Sequence, residues 1–231
     1  MKRISAVIMT LVLLFLSIFA VERIYDKTLE TSSNIVSKRI NLVIDAGHGG
    51  RDNGTSGVDD TPEKGINLDI ALSLYDFACV SGINTYLTRD GDYQVYSEND
   101  DTSRSDLYNR MDFINSISNA TLISIHQNHF EDVCEWGMQV WFSPNGNLSK
   151  SLADNILNIT KDYLQPDNER NNKMSDDSYY LLYKAKVPSV MVECGFMSNE
   201  KENELLKNDD YQKKIAYSIL LGTQKYICEE L

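Results

Sequence analysis

The stretch Ile40-Asn41-Leu42-Val43-Ile44-Asp45-Ala46-Gly47-His48-Gly49-Gly50 reads as a buried strand, Ile40–Asp45, that runs out into a glycine-rich loop carrying a histidine. Working outward, Asn67–Val80 places Leu68, Ala71, Leu72 and Tyr75 at helical spacing, and Ile83–Thr88 returns as a strand. Arg104–Ile117 lines up Leu107, Met111, Ile114 and Ile117 on one helical face. Thr121–His126, Met138–Phe142 and Ser189–Glu193 read as further strands, and Leu148–Leu164 and Tyr211–Tyr226 as further helices. Strands alternating with helices predict a largely parallel sheet covered on both faces, a three-layer α/β domain whose site gathers at the carboxyl ends of the strands. No repeat or low-complexity segment interrupts the pattern.

Composition bounds the rest. A chain of 231 residues, 42% apolar and 24% charged, supports one sizeable core, so one folded domain over residues 39–231 is expected. A formal net charge of −12 repels phosphate backbones and excludes nucleic acid as a partner. Lys2 and Arg3 precede an uncharged, mostly apolar run from Ile4 to Val21, long enough for a membrane. The only small-residue cleavage candidate is Ile18-Phe19-Ala20, so residues 1–21 read first as an uncleaved hydrophobic helix, a membrane anchor, with a removed signal segment and a secreted domain as the alternative. Residues 22–38 read as a tether, and the positive flank orients the domain across the membrane. Cys79, Cys134, Cys194 and Cys228 are scattered, which indicates neither a zinc ribbon nor a disulfide scaffold. Cys194 adjoins Glu193, but strand alternation sends the two side chains to opposite faces.

Four residues carry metal chemistry: His48, Glu63 in Thr61-Pro62-Glu63-Lys64-Gly65, His126 and Glu193. Two imidazoles and one carboxylate leave a zinc ion an open position for water, and a further carboxylate then serves as base. His48 lies just past the first strand, His126 closes the third and Glu193 ends the fifth, so one sheet edge can bring them together. His129 is expected in a loop, because strand spacing misdirects it as a ligand. Asn128 reads as a turn cap. Gly47, Gly49, Gly50 and Gly54 match no phosphate-loop pattern and read as tight turns around a metal. Arg89 and Arg110 are expected to tie loops and helices together through carboxylates. Asn119-Ala120-Thr121 and Asn158-Ile159-Thr160 are chance acceptor triplets in an asparagine-rich chain.

These segments together resemble the zinc-dependent N-acetylmuramoyl-L-alanine amidases. The resemblance is carried by IDAGHGGRDNGTSG, the following EK, GINTYLTRDGD, SRSDLYNRMDFIN, ISIHQN, VPSVMVECGFMSN and YQKKIAYSILLGTQKY, from about Ile40 to Tyr226. It implies a mixed, mostly parallel sheet, hydrolysis of the amide between the lactyl group of muramic acid and L-alanine in peptidoglycan, zinc on His48, Glu63 and His126, and Glu193 as the catalytic glutamate. One departure is Ala46, where the family usually has proline; this changes loop stiffness rather than chemistry. SRSDLYNR and SYYLLYKAKVPSVMVECGF resemble the sporulation branch, which prepares muramic-δ-lactam in spore cortex. That implies work in the forespore intermembrane space; vegetative wall turnover, a stem-cutting peptidase and a noncatalytic scaffold are the alternatives. Between the ligand segments no long extra helix is seen that would plug the site. Control is therefore expected from timing or from an accessory protein that favours the zinc-bound state.

Overall fold

The computed structural model describes residues 40–95 and 103–230. The hydrophobic helix expected over residues 1–21 and the tether over 22–38 lie outside them. Among the described residues no helix is long and apolar enough to cross a membrane.

Strand β1 (Asn41–Ala46) is followed by α1 (Glu63–Val80), β2 (Asn84–Leu87), α2 (Ser103–Ser116), β3 (Ala120–Asn128) and β4 (Gln139–Phe142). Then come α3 (Asn147–Tyr163), β5 (Lys173–Met174), α4 (Tyr180–Lys184), β6 (Ser189–Phe196), α5 (Glu200–Leu206) and α6 (Asp209–Glu230). The six strands form one sheet in the order β2-β1-β3-β6-β4-β5. The first four run parallel, while β4 pairs antiparallel with β6 and β5 follows β4. The mixed, mostly parallel α/β sheet expected of the chain is what forms.

The central strands are buried on both faces, which is why β1 and β3 read as continuous apolar runs rather than alternating ones. On one face Leu42, Ile44, Ile123, Ile125, Val190, Val192 and Cys194 pack against α1, α3 and α6. The smaller opposite cluster joins Val43 and Leu122 to Met111 and Ile114 of α2 and Leu181 of α4. In α1 the buried Ile66, Ile70, Leu74 and Ala78 recur every fourth residue, one stripe toward the sheet.

Three of the boundary differences from the sequence reading bear on the site. Helix α1 starts at Glu63, four residues early, because Pro62 supplies an extended residue before it and an acid suits the first turn. Strand β3 runs two residues past His126, with a register shift between His126 and Asn128, so His126 does not close it. Strand β6 continues through Phe196, so Glu193 sits inside a strand that is sixth in the chain rather than at the end of the fifth. The short elements β5, α4 and α5 were not expected at all.

Candidate active site

His48 sits in the turn after β1 with φ 62, a left-handed conformation uncommon for a residue with a Cβ and costing roughly 1–3 kcal/mol. Its Nδ1 lies 2.8 Å from Asp52 Oδ2, and Asp52 is held in turn by the Gly54 N–H at 3.0 Å. With Nδ1 engaged, Nε2 is turned to Glu63 Oε2 at 3.3 Å. His126, from β3, approaches the other Glu63 oxygen through Nδ1 at 3.0 Å. The two imidazoles meet edge to face with centroids 4.9 Å apart.

Glu63 is therefore the hub. Besides the histidines, its Oε1 accepts from Asn67 Nδ2 at 3.0 Å and the Gln127 N–H at 2.9 Å, and its Oε2 accepts from the Thr55 N–H at 2.9 Å. Burial works to raise its pKa, yet the hydrogen bonds and charges of His126 and His48 hold it well below the usual carboxylate range. For His48 burial acts to lower the pKa, but the hydrogen bonds to Asp52 and Glu63 push it up to about 10.

The metal-binding candidates thus come together: one ligand atom each of His48, Glu63 and His126 lies within 4.8 Å of the others. Two neutral-capable nitrogens and one ionised oxygen are the donor set of an open divalent site, and glycines close around them. A Cβ at Gly47 would stand 2.2 Å from the His126 ring, and one at Gly54, where φ is 66, would stand 2.4 Å from Glu63 Oε2 and 2.6 Å from His48 Cδ2. Both positions require glycine because the metal-facing side chains occupy the space a side chain would take.

Glu193 is placed by the sheet itself. It pairs with His126 across β3 and β6 and with Gln139 across β6 and β4, so it shares their face of the sheet. Its Oε2 is shut from solvent with no hydrogen-bond partner in the protein. Burial first, then the charge of Glu63, push its pKa well above the ordinary glutamate value, and His48 only partly offsets this. Cys194 points the other way into the apolar core, as alternation requires, and burial pushes its thiol up.

Two buried arginines hold the histidine turn. Arg110 of α2 donates to Asp45 Oδ1 at 2.7 Å, Asp106 Oδ2 at 2.9 Å, the Ala46 carbonyl at 2.8 Å and the His48 carbonyl at 2.6 Å. Asp45 also accepts from Thr88 and Ser124. Burial acts to raise the Asp45 pKa, but the Arg110 charge and these hydrogen bonds bring it down to about 2. Arg89 departs from the expected carboxylate pairing. It donates to the carbonyls of Ala46, Gly47, Lys64 and Gly91, tying the turn after β1 to the start of α1 and to the loop after β2.

Sequence reasoning did not find Asp52, Asn67, Gln127 or Asp45. Asn67 touches every ligand-bearing segment: it donates to Glu63 and to the Gly47 carbonyl at 3.2 Å, and accepts from Gln127 Nε2 at 3.1 Å. Its place one helical turn after Glu63 was the available signal. His129 does lie in the loop after β3, with Nδ1 3.3 Å from the Ser56 carbonyl, and Asn128 does cap that turn by accepting from the His129 N–H at 2.8 Å. An open groove of about 630 Å³, lined by Val58, Val133, Cys134 and Ser198 to Lys201, includes none of His48, Glu63, His126 and Glu193 in its lining.

Comparison with known proteins gives one consistent result. The family model Amidase_3, N-acetylmuramoyl-L-alanine amidase, matches residues 42–225. The CwlD amidase of Clostridioides difficile, solved in complex with the GerS lipoprotein, is 40% identical with a TM-score of 0.78, covering 82% of this chain and 98% of that one. AmiC2 of Nostoc punctiforme is 26% identical with a TM-score of 0.72 over 83% of this chain and 98% of that one. The germination-specific N-acetylmuramoyl-L-alanine amidase of Bacillus subtilis is 28% identical over 82% of this chain and 80% of its own length.

Proposed function

The chain belongs to the N-acetylmuramoyl-L-alanine amidase family, and from that premise we propose that it removes stem peptides from peptidoglycan with zinc held by His48, Glu63 and His126 and with Glu193 as its general base. Zinc bound there supplies the Lewis acidity that brings a water toward ionisation at neutral pH and polarises the lactyl carbonyl. Everything else falls to the chain's own residues. Glu193 takes the proton from the attacking water and delivers it to the alanine nitrogen as the C–N bond breaks. The products are a free lactyl carboxylate on the sugar and a peptide with a free amino terminus. The observation that carries this reading is geometric: one ligand atom each of His48, Glu63 and His126 lies within 4.8 Å of the others, and Glu193 pairs with His126 across β3 and β6 with an Oε2 that no protein group hydrogen-bonds.

The finer reading concerns place and partner. Residues 1–21 anchor the enzyme, residues 22–38 tether it, and residues 39–231 act outside the membrane on wall glycan, in the forespore intermembrane space of a spore former. There stem-peptide removal prepares muramic-δ-lactam for the cortex. The germination-specific relative supports this role, and the GerS lipoprotein bound to the related CwlD supports an accessory partner that promotes activity here too.

Mass spectrometry of purified peptidoglycan after incubation with the full-length protein, zinc-loaded or chelator-treated, tests the chemistry. Whole stem peptides beginning at L-alanine are expected from the zinc-loaded protein alone. Cuts inside the stem with the muramoyl amide intact would overturn the reading.

A further inference from the structure

Beside Glu193 the same face of the sheet carries an aromatic pair that the chemistry above does not use. Trp141 of β4 pairs with Met191 of β6, and Gln139 pairs with Glu193, so Trp141 stands one diagonal step from the glutamate and within reach of aromatic side chains. Tyr179, just before α4, stacks on Trp141 with ring centroids 4.7 Å apart at 29°, and Lys173 of β5 sets its ammonium 5.2 Å from the indole centroid. Two polar atoms at this place are shut from solvent and without partners in the protein: Trp141 Nε1 and Ser175 Oγ. A buried polar group left unpaired is unfavourable, so a ligand that reached either atom would gain by pairing it.

We propose that Trp141 and Tyr179, with Ser175 and Lys173, form the subsite that seats the N-acetylmuramoyl sugar beside Glu193. The inference rests on the amidase reading and adds which side of the cluster takes the glycan. A pyranose presents an apolar C–H face and a rim of hydroxyls with one acetamide. Stacked indole and phenol rings present the matching combination, flat apolar area with a polar tip on each ring. The turn between Ser175 and Tyr179 exposes Asp176, Asp177 and Ser178, which add polar groups in the segment that joins Ser175 to the aromatic pair. Burial, and after it the charge of Glu193, push the Tyr179 phenol up to about 12, which keeps it a donor through the neutral range.

The chain has two tryptophans, Trp136 and Trp141, so the full-length, zinc-loaded Trp136→Phe protein reports on Trp141 alone. Titrating it with the disaccharide N-acetylglucosaminyl-N-acetylmuramic acid is expected to give saturable quenching of that emission. A stem peptide starting at L-alanine should leave it unchanged. In Tyr179→Ala the disaccharide response should be lost, and KM for disaccharide-peptide should rise about tenfold with kcat little changed, while Tyr179→Phe keeps most of the stacking contribution. Quenching by the peptide and not the disaccharide, by neither, or undiminished in Tyr179→Ala, each overturns the proposal. If the parent enzyme releases stem peptides while the disaccharide is silent, this inference alone fails. If zinc-loaded enzyme releases none from intact peptidoglycan, the amidase reading fails with it.

Discussion

Two buried glutamates face the same pair of histidines from opposite supports, and the supports decide what each can do. Glu63, at the first position of α1, is surrounded by donors: two backbone N–H groups, the Asn67 amide and both imidazoles. Glu193, inside β6, has an oxygen with no partner, because a strand spends its backbone donors on its neighbours and offers none to its own side chains. The first is driven to stay ionised and the second to take up a proton. A helix start therefore leaves an anion suited to a cation, and the middle of a sheet leaves a carboxyl suited to carrying a proton.

The largest effect comes from breaking the strand side. Glu193→Gln keeps the shape and removes the proton carrier, and kcat is expected to fall by about 10²–10⁴ while the bound zinc stays at wild-type stoichiometry. Because burial drives Glu193 to hold a proton, the change replaces one neutral buried group with another of the same shape, so thermal stability should change little. Zinc content, muropeptide release and a melting curve on one preparation check all three. A variant that loses its zinc would show that Glu193 belongs with Glu63 and not opposite it.

A smaller effect is expected from loosening the turn that presents His48 to Glu63. Arg110→Met leaves Asp45 buried without its partner and frees the Ala46 and His48 carbonyls. Removing one member of a buried ion pair costs about 3–5 kcal/mol, to be read by denaturant unfolding at neutral pH. The pH dependence identifies the cause. The folded Asp45 pKa, about 2, lies below its ordinary 3.8, so its stabilisation is complete above that ordinary value and is lost as pH falls through about 2. The gap between wild type and variant should narrow over that window, and a gap independent of pH would assign the loss to packing.

What the chain discloses before folding follows the same division. The four central strands and their covering helices were legible because burial on both faces leaves long apolar runs and one-sided helical stripes. Strand β5 of two residues and the five-residue α4 are too short to carry any period. His48, Glu63, His126 and Glu193 stood out by residue type and by the resemblance of their segments. Among their supports the carboxylate pairing of Arg110 was expected and forms, but the partners themselves were not legible, because Arg110 meets Asp45 across 65 positions and Gln127 meets Asn67 across 60. The early start of α1 was readable in Pro62-Glu63, but the stripe read from the sequence began at Leu68, beside the face that is buried through Ile66, Ile70 and Leu74, and pulled the boundary inward. Trp141 and Tyr179 become neighbours only when β4 folds antiparallel against β6, a pairing that strand-helix alternation does not predict.

The finest test shifts Glu63 part of the way toward the condition of Glu193. Asn67→Ala takes one donor from Glu63 Oε1 while the Gln127 N–H and His126 remain, and it also unties the Gly47 carbonyl and the Gln127 amide. Groups that orient a metal ligand without touching the metal typically account for 10–100-fold in affinity, and that loss is the expectation for zinc, measured by competition with a chelating dye. With zinc in excess kcat should recover to near wild type, since Glu193 and its distance from His126 are set by the β3–β6 register and not by α1. If kcat stays low at saturating zinc, the helix and the strand are not independent supports, and the contrast between the two glutamates is one property of a single network. If affinity is unchanged, the two backbone donors and the imidazoles hold Glu63 unaided, and the buried Asn67 serves the packing of α1 on β3 instead.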